Sequence, residues 1–405
     1  VIDRLNACTS TEISAEDRNR ILGEAHFLRG WYYFQLARYY GDVPLVLNET
    51  IDLSQMDVER KPVKDVYAQI ISDYEFAEQH LPVQNIVGHA HKYAATALKA
   101  RAYLQMSGNP INDKEAASKA AEACREVIGS GRFALVKDYF SQFDGLHEHN
   151  SEYLFDVEFD NTANKSLYGG QVGTTDGVPH ENSVYWVQVR ATPTMFGKFE
   201  ENDMRRNSMC RGGHIINQDG NEVLVYDEEY ESVDFIYKFR HQLGAANRGT
   251  GWCNWCNSIN FPIIRYADVL LMLAEAENRA NGAPSAEAVE YVNQVRRRGY
   301  EVDIKTPNPS VDIKMMSGAE FDQFILEERS RELCFEGHRW ADLVRFGKLK
   351  EAFNKAFDAP DWEYYENVKQ YFSEDAIKDK HLIFPIPQSV IDASEGKIQQ
   401  TEAWK

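Results

Sequence analysis

Residues 321–349, FDQFILEERSRELCFEGHRWADLVRFGKL, constrain the fold more than any other stretch of this chain. The apolar spacing predicts a long helix, a pivot at Gly337 and a second, short helix. Charged residues lie between the apolar positions, and Glu327 and Arg331 are four residues apart with the acid first, the favourable order on a helix face. A solvated helix rarely combines so many aromatic and paired charged residues. We therefore expect a partly buried ion-pair lattice that joins this hairpin to its neighbours.

Two other interpretations of the same stretch are an ordinary amphipathic surface helix and a catalytic pair of carboxylates. Glutamate and arginine side chains at this spacing neutralise each other, and structural ion-pair networks are more common than catalytic ones. The charge pattern therefore favours a structural role.

The stretch also resembles the strongest signature of the SusD/RagB family, ERxRELxFEGHRWxDLxRxGK, which residues 328–348 match. Residues 24–46 resemble a second family pattern, EAxFLRAxxYFxLxxxYGDVPLV, with Gly30 in place of the usual alanine, and residues 60–82 resemble a third. The closing PIPxxEI…Q motif departs from the family at Ser394 and at residues 400–402, which leaves the geometry of the final turn open. The resemblance extends from about Asn6 to Gln399. Its structural signature residues are Arg29, Glu328, Arg329, Glu332, Arg339, Trp340 and Asp342.

Helical hairpins are predicted at residues 95–128 and 265–298, each spanning roughly the 34-residue tetratricopeptide period. The 321–346 hairpin, and the first helix with its neighbour, are degenerate copies. The first helix, over residues 23–40, carries two apolar stripes, which predicts packing on both sides. One stripe contains Ala25, Leu28, Tyr32, Leu36 and Tyr39, and the other Phe27, Trp31 and Phe34.

The segment between the hairpins differs in composition. It is rich in Gly, Asn, Asp, Tyr and Trp, and it contains strand-like runs with a hairpin turn signal at residues 218–221. The runs cover residues 153–159, 183–189, 222–226 and 235–239. The predicted fold is mostly α, a tetratricopeptide-like helical-hairpin scaffold with a loop-rich, small-β insertion, as in a SusD-like α/α superhelix. We expect N-terminal hairpins at 1–144, the insertion at 145–260, C-terminal hairpins at 261–349 and a loop-rich closing segment at 350–405, all merged into one domain.

Composition narrows the function. A net charge of −19 argues against nucleic acid, whose phosphates attract basic surfaces. No apolar run approaches the roughly 18 residues of a membrane-spanning helix. The sequence starts at Val1 without a signal peptide, so we expect an N-terminal portion with a lipid-bearing cysteine to lie outside it. Cys124 and Cys334 are predicted to be buried thiols. The sequence does not decide whether Cys253 and Cys256 form a local disulfide.

The insertion holds three clusters of aromatic and amide residues. Sugar binding uses flat aromatic faces for the apolar side of a pyranose and planar amides for its hydroxyl groups. Core packing is the alternative for Trp252 and Trp255, and only one of Tyr185 and Trp186 can face outward from a strand. Motifs do not fix the binding residues of the family, so these candidates rest on composition. The candidate ligand contacts are Trp252, Trp255, Asn254, Asn257, Tyr185, Trp186, Asn182 and Tyr168.

No metal, cofactor or catalytic residue is predicted. The His89/His91 and His147/His149 pairs are two residues apart, a spacing that brings side chains together only on a strand, and no third ligand is placed by the sequence. Exposed polar loops are the favoured interpretation of both. The sequence does not decide whether the Asp219 turn holds an incidental calcium ion, although the twelve-residue EF-hand pattern is absent.

The resemblance implies a lipid-anchored, nutrient-binding protein on the extracellular face of the outer membrane in Bacteroidota. Such a protein captures an oligosaccharide without cleaving it and delivers it to a SusC-type TonB-dependent transporter that contacts the helical scaffold. Peptide capture within the same family is the alternative. A glycoside hydrolase would need two inward carboxyl groups at a set separation, and a cytosolic tetratricopeptide adaptor would need consecutive repeats. The ligand and its linkage are left open.

Overall fold

The computed structural model describes residues 1–52, 59–159, 191–218, 221–226, 234–239, 259–357 and 376–405. The helices are α1 (Ile2–Ala7), α2 (Ala15–Tyr40), α3 (Val63–His80), α4 (Lys92–Met106), α5 (Lys114–Gly129), α6 (Pro193–Phe196), α7 (Tyr266–Asn281), α8 (Ala286–Gly299), α9 (Gly318–Glu332), α10 (Arg339–Arg345), α11 (Leu349–Phe357) and α12 (Gln388–Ala393). The strands are β1 (Val43–Pro44), β2 (Arg60–Lys61), β3 (Tyr153–Val157), β4 (Met209–Arg211), β5 (Gly213–Gln218), β6 (Asn221–Tyr226), β7 (Asp234–Ile236) and β8 (Phe261–Arg265). Short 3₁₀ helices cover Phe140–Gln142, Met204–Ser208, Asp379–Leu382 and Glu402–Trp404.

Helical hairpins form the scaffold. α4 packs against α5, α7 against α8 and α2 against α3, and the hairpins stack because α3 contacts α4, α5 contacts α7 and α7 contacts α9. Small side chains such as Ala97 on α4 and Ala120 on α5 are fully buried, which lets the helix axes approach closely. The predicted mostly α, tetratricopeptide-like scaffold is confirmed, with one continuous hydrophobic core running through these helices.

The first long helix, α2, begins at the Ser14 cap, whose hydroxyl accepts a hydrogen bond from the N–H of Asp17, and ends at Gly41 with φ +70°. The prediction that both of its apolar stripes are packed is wrong for the residues described. Phe27 and Phe34 are buried against α3, whereas Leu28, Tyr32 and Leu36 are 42%, 63% and 40% exposed. Among the described elements α2 packs chiefly against α3, although Tyr39, at the end of the exposed stripe, stacks on Phe384 with ring centroids 5.3 Å apart.

The pivot in residues 321–349 has the predicted form. α9 starts with a capping box between Ser317 and Glu320 and ends at Glu332, and α10 follows after a turn in which Phe335 and Gly337 have φ +63° and +78°. The predicted ion pair between Glu327 and Arg331 does not form, and Glu327 binds Arg339. Arg331 instead binds Glu328, three residues earlier, because Glu328 lies on the buried side of α9, where several arginines converge.

The insertion contains small antiparallel sheets. β3 pairs with β8, β4 with β7 and β5 with β6, the last with Gln218 opposite Asn221 as the turn signal predicted. Three of the predicted strand runs appear as β3, β6 and β7, each with shifted or shortened bounds, and the run at 183–189 lies outside the described residues. Strand β8 was not predicted. Its pairing with β3 fixes the place where the insertion leaves the scaffold.

Among the helices in the described part of the chain, none is both long enough and apolar enough to cross a membrane. Cys124 and Cys334 are buried thiols, as predicted.

Candidate ligand-binding site

All eight candidate ligand contacts lie outside the described residues, in segments 160–190 and 240–258. Cys253, Cys256 and the Asp219 turn also lie outside them. The structure does describe the points at which the chain enters and leaves both segments. We call five of these residues the insertion base: Phe159, Ala191, Phe239, Ile259 and Asn260.

A direct hydrogen bond joins the two segments at their roots. The N–H of Phe159 lies 2.9 Å from Oδ1 of Asn260, which is 1% exposed. Strands β3 and β8 run antiparallel, so the end of β3 lies beside the start of β8. The start of segment 160–190 therefore adjoins the end of segment 240–258.

The second segment begins and ends in one small hydrophobic cluster. Phe239 and Ile259 both pack with Tyr139 and Phe143, and Phe239 stacks on Phe261 with ring centroids 5.7 Å apart. Both termini of segment 240–258 are therefore fixed by buried apolar contacts.

The end of the first segment is fixed in the same neighbourhood. Ala191 is buried with Phe199, Met209 and Cys334. Phe335, in the turn before Gly337, packs against this cluster and also against the cluster that holds Phe239 and Ile259. The pivot of the signature stretch thus supports the insertion base.

Beneath the base lies a buried ion-pair lattice centred on Glu332. Its carboxylate accepts hydrogen bonds from Arg205 at 3.1 Å, Arg265 at 2.5 Å and Arg298 at 2.5 Å. Lys238 adds a bond from Nζ to the Glu332 carbonyl oxygen at 3.1 Å. Two of these four cations, Arg205 and Lys238, come from the insertion, and Arg265 ends strand β8, which directly follows it, so the lattice joins the insertion to α9.

A second half of the lattice joins α9 to the helical scaffold. Arg329 donates to Asp268 on α7 at 2.7 Å and to Asp342 on α10 at 3.0 Å. Arg345 completes this half by binding Glu275 on α7 and Asp342. The signature residues Glu328, Arg329, Glu332 and Asp342 are therefore part of the buried lattice.

The lattice carboxylates are held ionised. Burial alone would raise the pKa of Glu336, but Arg265 and Lys238 outweigh burial and lower that pKa to about 2. Arginine neighbours likewise lower the pKa values of Glu328 and Asp342, against the effect of burial. A glycosidase needs one carboxyl group that is protonated near neutral pH to act as the general acid. These carboxyl groups do not meet that requirement.

The remaining signature residues occupy other parts of the scaffold. Arg29 forms a two-pronged ion pair with Asp73 on α3, at 2.9 and 2.6 Å. Arg339 binds Glu327, and Trp340 packs near Phe384 of the closing segment with ring centroids 5.8 Å apart. Arg339 and Trp340 line a surface cavity of about 590 Å³ next to α11.

The closing segment forms a compact turn despite its departure from the family motif. The side-chain amide of Gln400 accepts a hydrogen bond from the N–H of Ile386 and donates one to its carbonyl oxygen, both at 3.0 Å. This pair of bonds holds residues 386 and 400 together, so the final turn is closed by a glutamine side chain.

Sequence reasoning missed three cations of the lattice. Arg205, Lys238 and Arg265 are at most 1% exposed. A usable signal was present, because Lys238 lies between Tyr237 and Phe239 and Arg265 ends the apolar run FPIIR. A charge inside an apolar run needs a buried partner. That argument predicts buried pairing but does not identify the partner.

Acidic groups surround the insertion base. Asn260 donates from Nδ2 to Glu158 at 2.8 Å, and its N–H donates to Glu148 at 3.2 Å. Burial raises the pKa of Glu148 to about 7, and burial with the nearby Glu158 raises that of Asp156 to about 6. The carboxyl groups beside the base therefore differ from those of the lattice, because they lack arginine partners among the described residues.

Comparisons with known proteins agree with this architecture. The family model described as "SusD family" matches residues 190–404, more than half of the chain, and the one described as "Starch-binding associating with outer membrane" matches residues 1–104. A SusD-like protein P2 from Formosa agariphila is 30% identical over 353 residues, which cover 83% of this chain and 66% of that protein. The chain thus spans just under two thirds of that relative.

Solved structures share the fold. A SusD homolog from Bacteroides thetaiotaomicron superposes with a TM-score of 0.79 at 25% identity, covering 96% of this chain and 80% of the homolog. Surface glycan-binding protein A from the same organism, solved in complex with laminarihexaose, has a TM-score of 0.75 at 22% identity, with 98% and 81% covered. The stacked hairpins, the signature lattice and these matches together place the chain in one family: it belongs to the SusD family.

Proposed function

We propose that this protein binds an oligosaccharide on the insertion side and passes it uncleaved to a SusC-type TonB-dependent transporter of the outer membrane. The observation that carries the proposal is the hydrogen bond between Phe159 and Asn260, which places the roots of the two aromatic–amide segments side by side. Aromatic and amide groups presented from adjacent roots supply the stacking faces and hydrogen-bonding groups that a sugar chain needs.

Family membership supports the ligand class. The laminarihexaose complex of a SusD-fold protein concerns a glucan, and the family model that matches residues 1–104 is described as starch-binding. Linear glucans are therefore the first ligands to test, with peptides as the alternative within the family.

The binding test compares glucan oligosaccharides with peptides of similar length by calorimetry and tryptophan fluorescence. We expect micromolar to millimolar binding of a glucan, weakened at least tenfold by Trp255→Ala and by Trp252→Ala. Tyr32→Ala, on the exposed face of α2, is the matched control and should bind as the wild type does. Binding of peptides alone would replace the glucan proposal. Wild-type affinity in both tryptophan variants would remove these two residues from the site.

Transporter contact is proposed for the exposed stripe on α2. Leu28, Tyr32 and Leu36 follow one another at four-residue spacing and are 40–63% exposed, so they form a continuous apolar strip on the helical scaffold. A triple change to serine should weaken co-purification with the transporter while leaving glucan binding intact. The tryptophan variants should show the opposite pattern. Loss of both activities in either variant would argue against two separate surfaces.

The proposal also includes two further points: the protein does not cleave its ligand, and it lies on the cell surface. Incubation with labelled oligosaccharides should produce no new reducing ends, whereas their appearance would revive the hydrolase alternative. We expect the protein on the extracellular face, held by a lipid anchor. Surface protease treatment of intact cells should degrade it, while a cytosolic control protein should survive.

A further inference from the structure

A histidine and two carboxylates meet beside the insertion base. Donor atoms of His149, Asp156 and Glu158 all lie within 4.8 Å of one another. Nδ1 of His149 is 3.5 Å from Oε1 of Glu158. A zinc-sized ion with ligands at about 2.1 Å keeps its donor atoms about 3.4 Å apart in a tetrahedral site. The group therefore requires small side-chain adjustments to close around one ion.

An independent observation points to a missing ligand. Oδ2 of Asp156 is buried and has no hydrogen-bond partner among the described residues, and the residue as a whole is 7% exposed. A buried carboxylate oxygen without a partner is costly. A bound cation would satisfy it.

The surroundings orient the donors and leave access from solvent. Asn260 donates to the Oε2 atom of Glu158, the kind of supporting contact that fixes a metal-binding carboxylate. Gly88 lies close to the same side chain, and a Cβ on it would be 2.9 Å from Cγ of Glu158. His149 and Asp156 line a cavity of about 240 Å³, and the side chains of His149 and Glu158 are 40% and 36% exposed.

Two nearby histidines, His89 and His91, already have other hydrogen-bond or ion-pair partners. The ring of His91 caps α4 by accepting a hydrogen bond from the N–H of Ala94, and Nδ1 of His89 faces Glu24 at 3.1 Å. The donor set is therefore His149, Asp156 and Glu158, with remaining positions open to water.

We propose that His149, Asp156 and Glu158 bind one divalent transition-metal ion, for which Zn²⁺ and Mn²⁺ are the test probes. The imidazole favours such ions over calcium, which takes oxygen ligands. The ion would connect the loop before β3 to the end of β3, next to the root of segment 160–190. This inference does not depend on which ligand the insertion binds.

The test uses tag-free, chelator-treated protein. Calorimetry with ZnCl₂ and with MnCl₂ should give one site per chain, and Zn²⁺ should raise the melting temperature. Asp156→Asn with Glu158→Gln should weaken binding at least a hundredfold. The matched control, Glu115→Gln with Glu122→Gln on the exposed face of α5, should bind as the wild type does.

A second variant keeps the result decisive if the double variant fails to fold. His149 has φ +56°, a backbone conformation that asparagine tolerates well, so His149→Asn removes the imidazole with little backbone strain. It should weaken Zn²⁺ binding at least tenfold. Absence of Zn²⁺ and Mn²⁺ binding to the wild type would overturn the proposal. So would wild-type affinity in His149→Asn, or binding of calcium alone.

Discussion

The N–H of Phe159 donates to Oδ1 of Asn260 across 101 residues of chain, at 2.9 Å. The same amide donates to Glu158, so one buried side chain joins the end of β3 to the start of β8. Asn260→Ala removes the acceptor and the donor together and leaves the partly buried N–H of Phe159 unpaired. We expect a loss of roughly 1–3 kcal/mol in the free energy of unfolding, measured by urea titration.

Ligand binding gives the functional measure of the same change. If Asn260 sets the spacing of the two segments, Asn260→Ala should weaken glucan binding more than its effect on folding explains, at temperatures where the variant is fully folded. Asn85→Ala, at another loop amide that bonds Glu24 and the Ala90 carbonyl oxygen, is the control. Unchanged affinity in Asn260→Ala would show that the tie is structural only.

The second prediction concerns the contribution of Arg265 to stability. Its guanidinium contacts Glu152, Glu332 and Glu336, all in the interior. Arg265→Met keeps much of the volume but leaves three carboxylates short of a cation, and removing one partner of a buried ion pair costs about 3–5 kcal/mol. Urea unfolding should show a loss of at least this size.

The control for Arg265 is an exposed pair. Lys348 binds Glu351 with both side chains more than 40% exposed, and surface pairs of this kind contribute roughly 0–1 kcal/mol. Lys348→Met should therefore hardly change stability. Equal effects of the two variants would mean that the buried lattice contributes no more than a surface salt bridge.

Gly318 marks a close approach between hairpins. A Cβ at this position would lie 2.0 Å from the carbonyl oxygen of Gly282, at the end of α7. Because the atom that the Cβ would meet belongs to the backbone and cannot rotate away, Gly318→Ala must separate α9 from α7, and we expect a loss of roughly 1–3 kcal/mol in the free energy of unfolding. The control is Gly129→Ala, in the last turn of α5 with open space around it, which should be neutral or slightly stabilising. Thermal unfolding of the two variants and the wild type measures both effects.

Local patterns were enough to predict the helical hairpins of the scaffold. The apolar spacing of residues 321–349 and the hairpin patterns at residues 95–128 and 265–298 each act over a short stretch of chain, and the pivot at Gly337 follows from one residue that adopts positive φ readily. The signature spacing then identified the family. These features depend on short-range chemistry that a sequence displays directly.

Contacts between distant residues could not be predicted in the same way. Arg331 has Glu327 and Glu328 within one turn, and the choice of Glu328 depends on which side of α9 is covered by α8 and the Met204–Ser208 turn. The exposure of Tyr32 depends on which elements lie beyond α2. The pairing of Phe159 with Asn260 depends on strand β8, whose partner lies about a hundred residues earlier. The candidate ligand contacts in segments 160–190 and 240–258 remain predictions.

Acid stability should depend on His338. Burial, with a smaller effect from Arg101, lowers the pKa of this imidazole to about 4, although Asp268 and Glu336 oppose the shift. In the unfolded chain the pKa is about 6.5. Below pH 6.5 the unfolded chain therefore binds a proton that the folded protein resists. The stability contributed by the neutral imidazole is present above pH 6.5 and is lost as the pH falls towards 4.

His338→Gln removes this proton uptake, so the free energy of unfolding should fall less steeply between pH 6.5 and 4, by up to about 1.4 kcal/mol per pH unit. The slope is the readout because the substitution can also change stability by a constant amount. His80→Gln, at a partly exposed position on α3, controls for loss of a histidine as such. The carboxylates that face His338 stay ionised through this window, since arginine neighbours lower the pKa of Asp268 and that of Glu336 is about 2. An identical slope in His338→Gln and in the wild type would therefore mean that the buried imidazole takes up its proton as readily in the folded protein as in the unfolded chain.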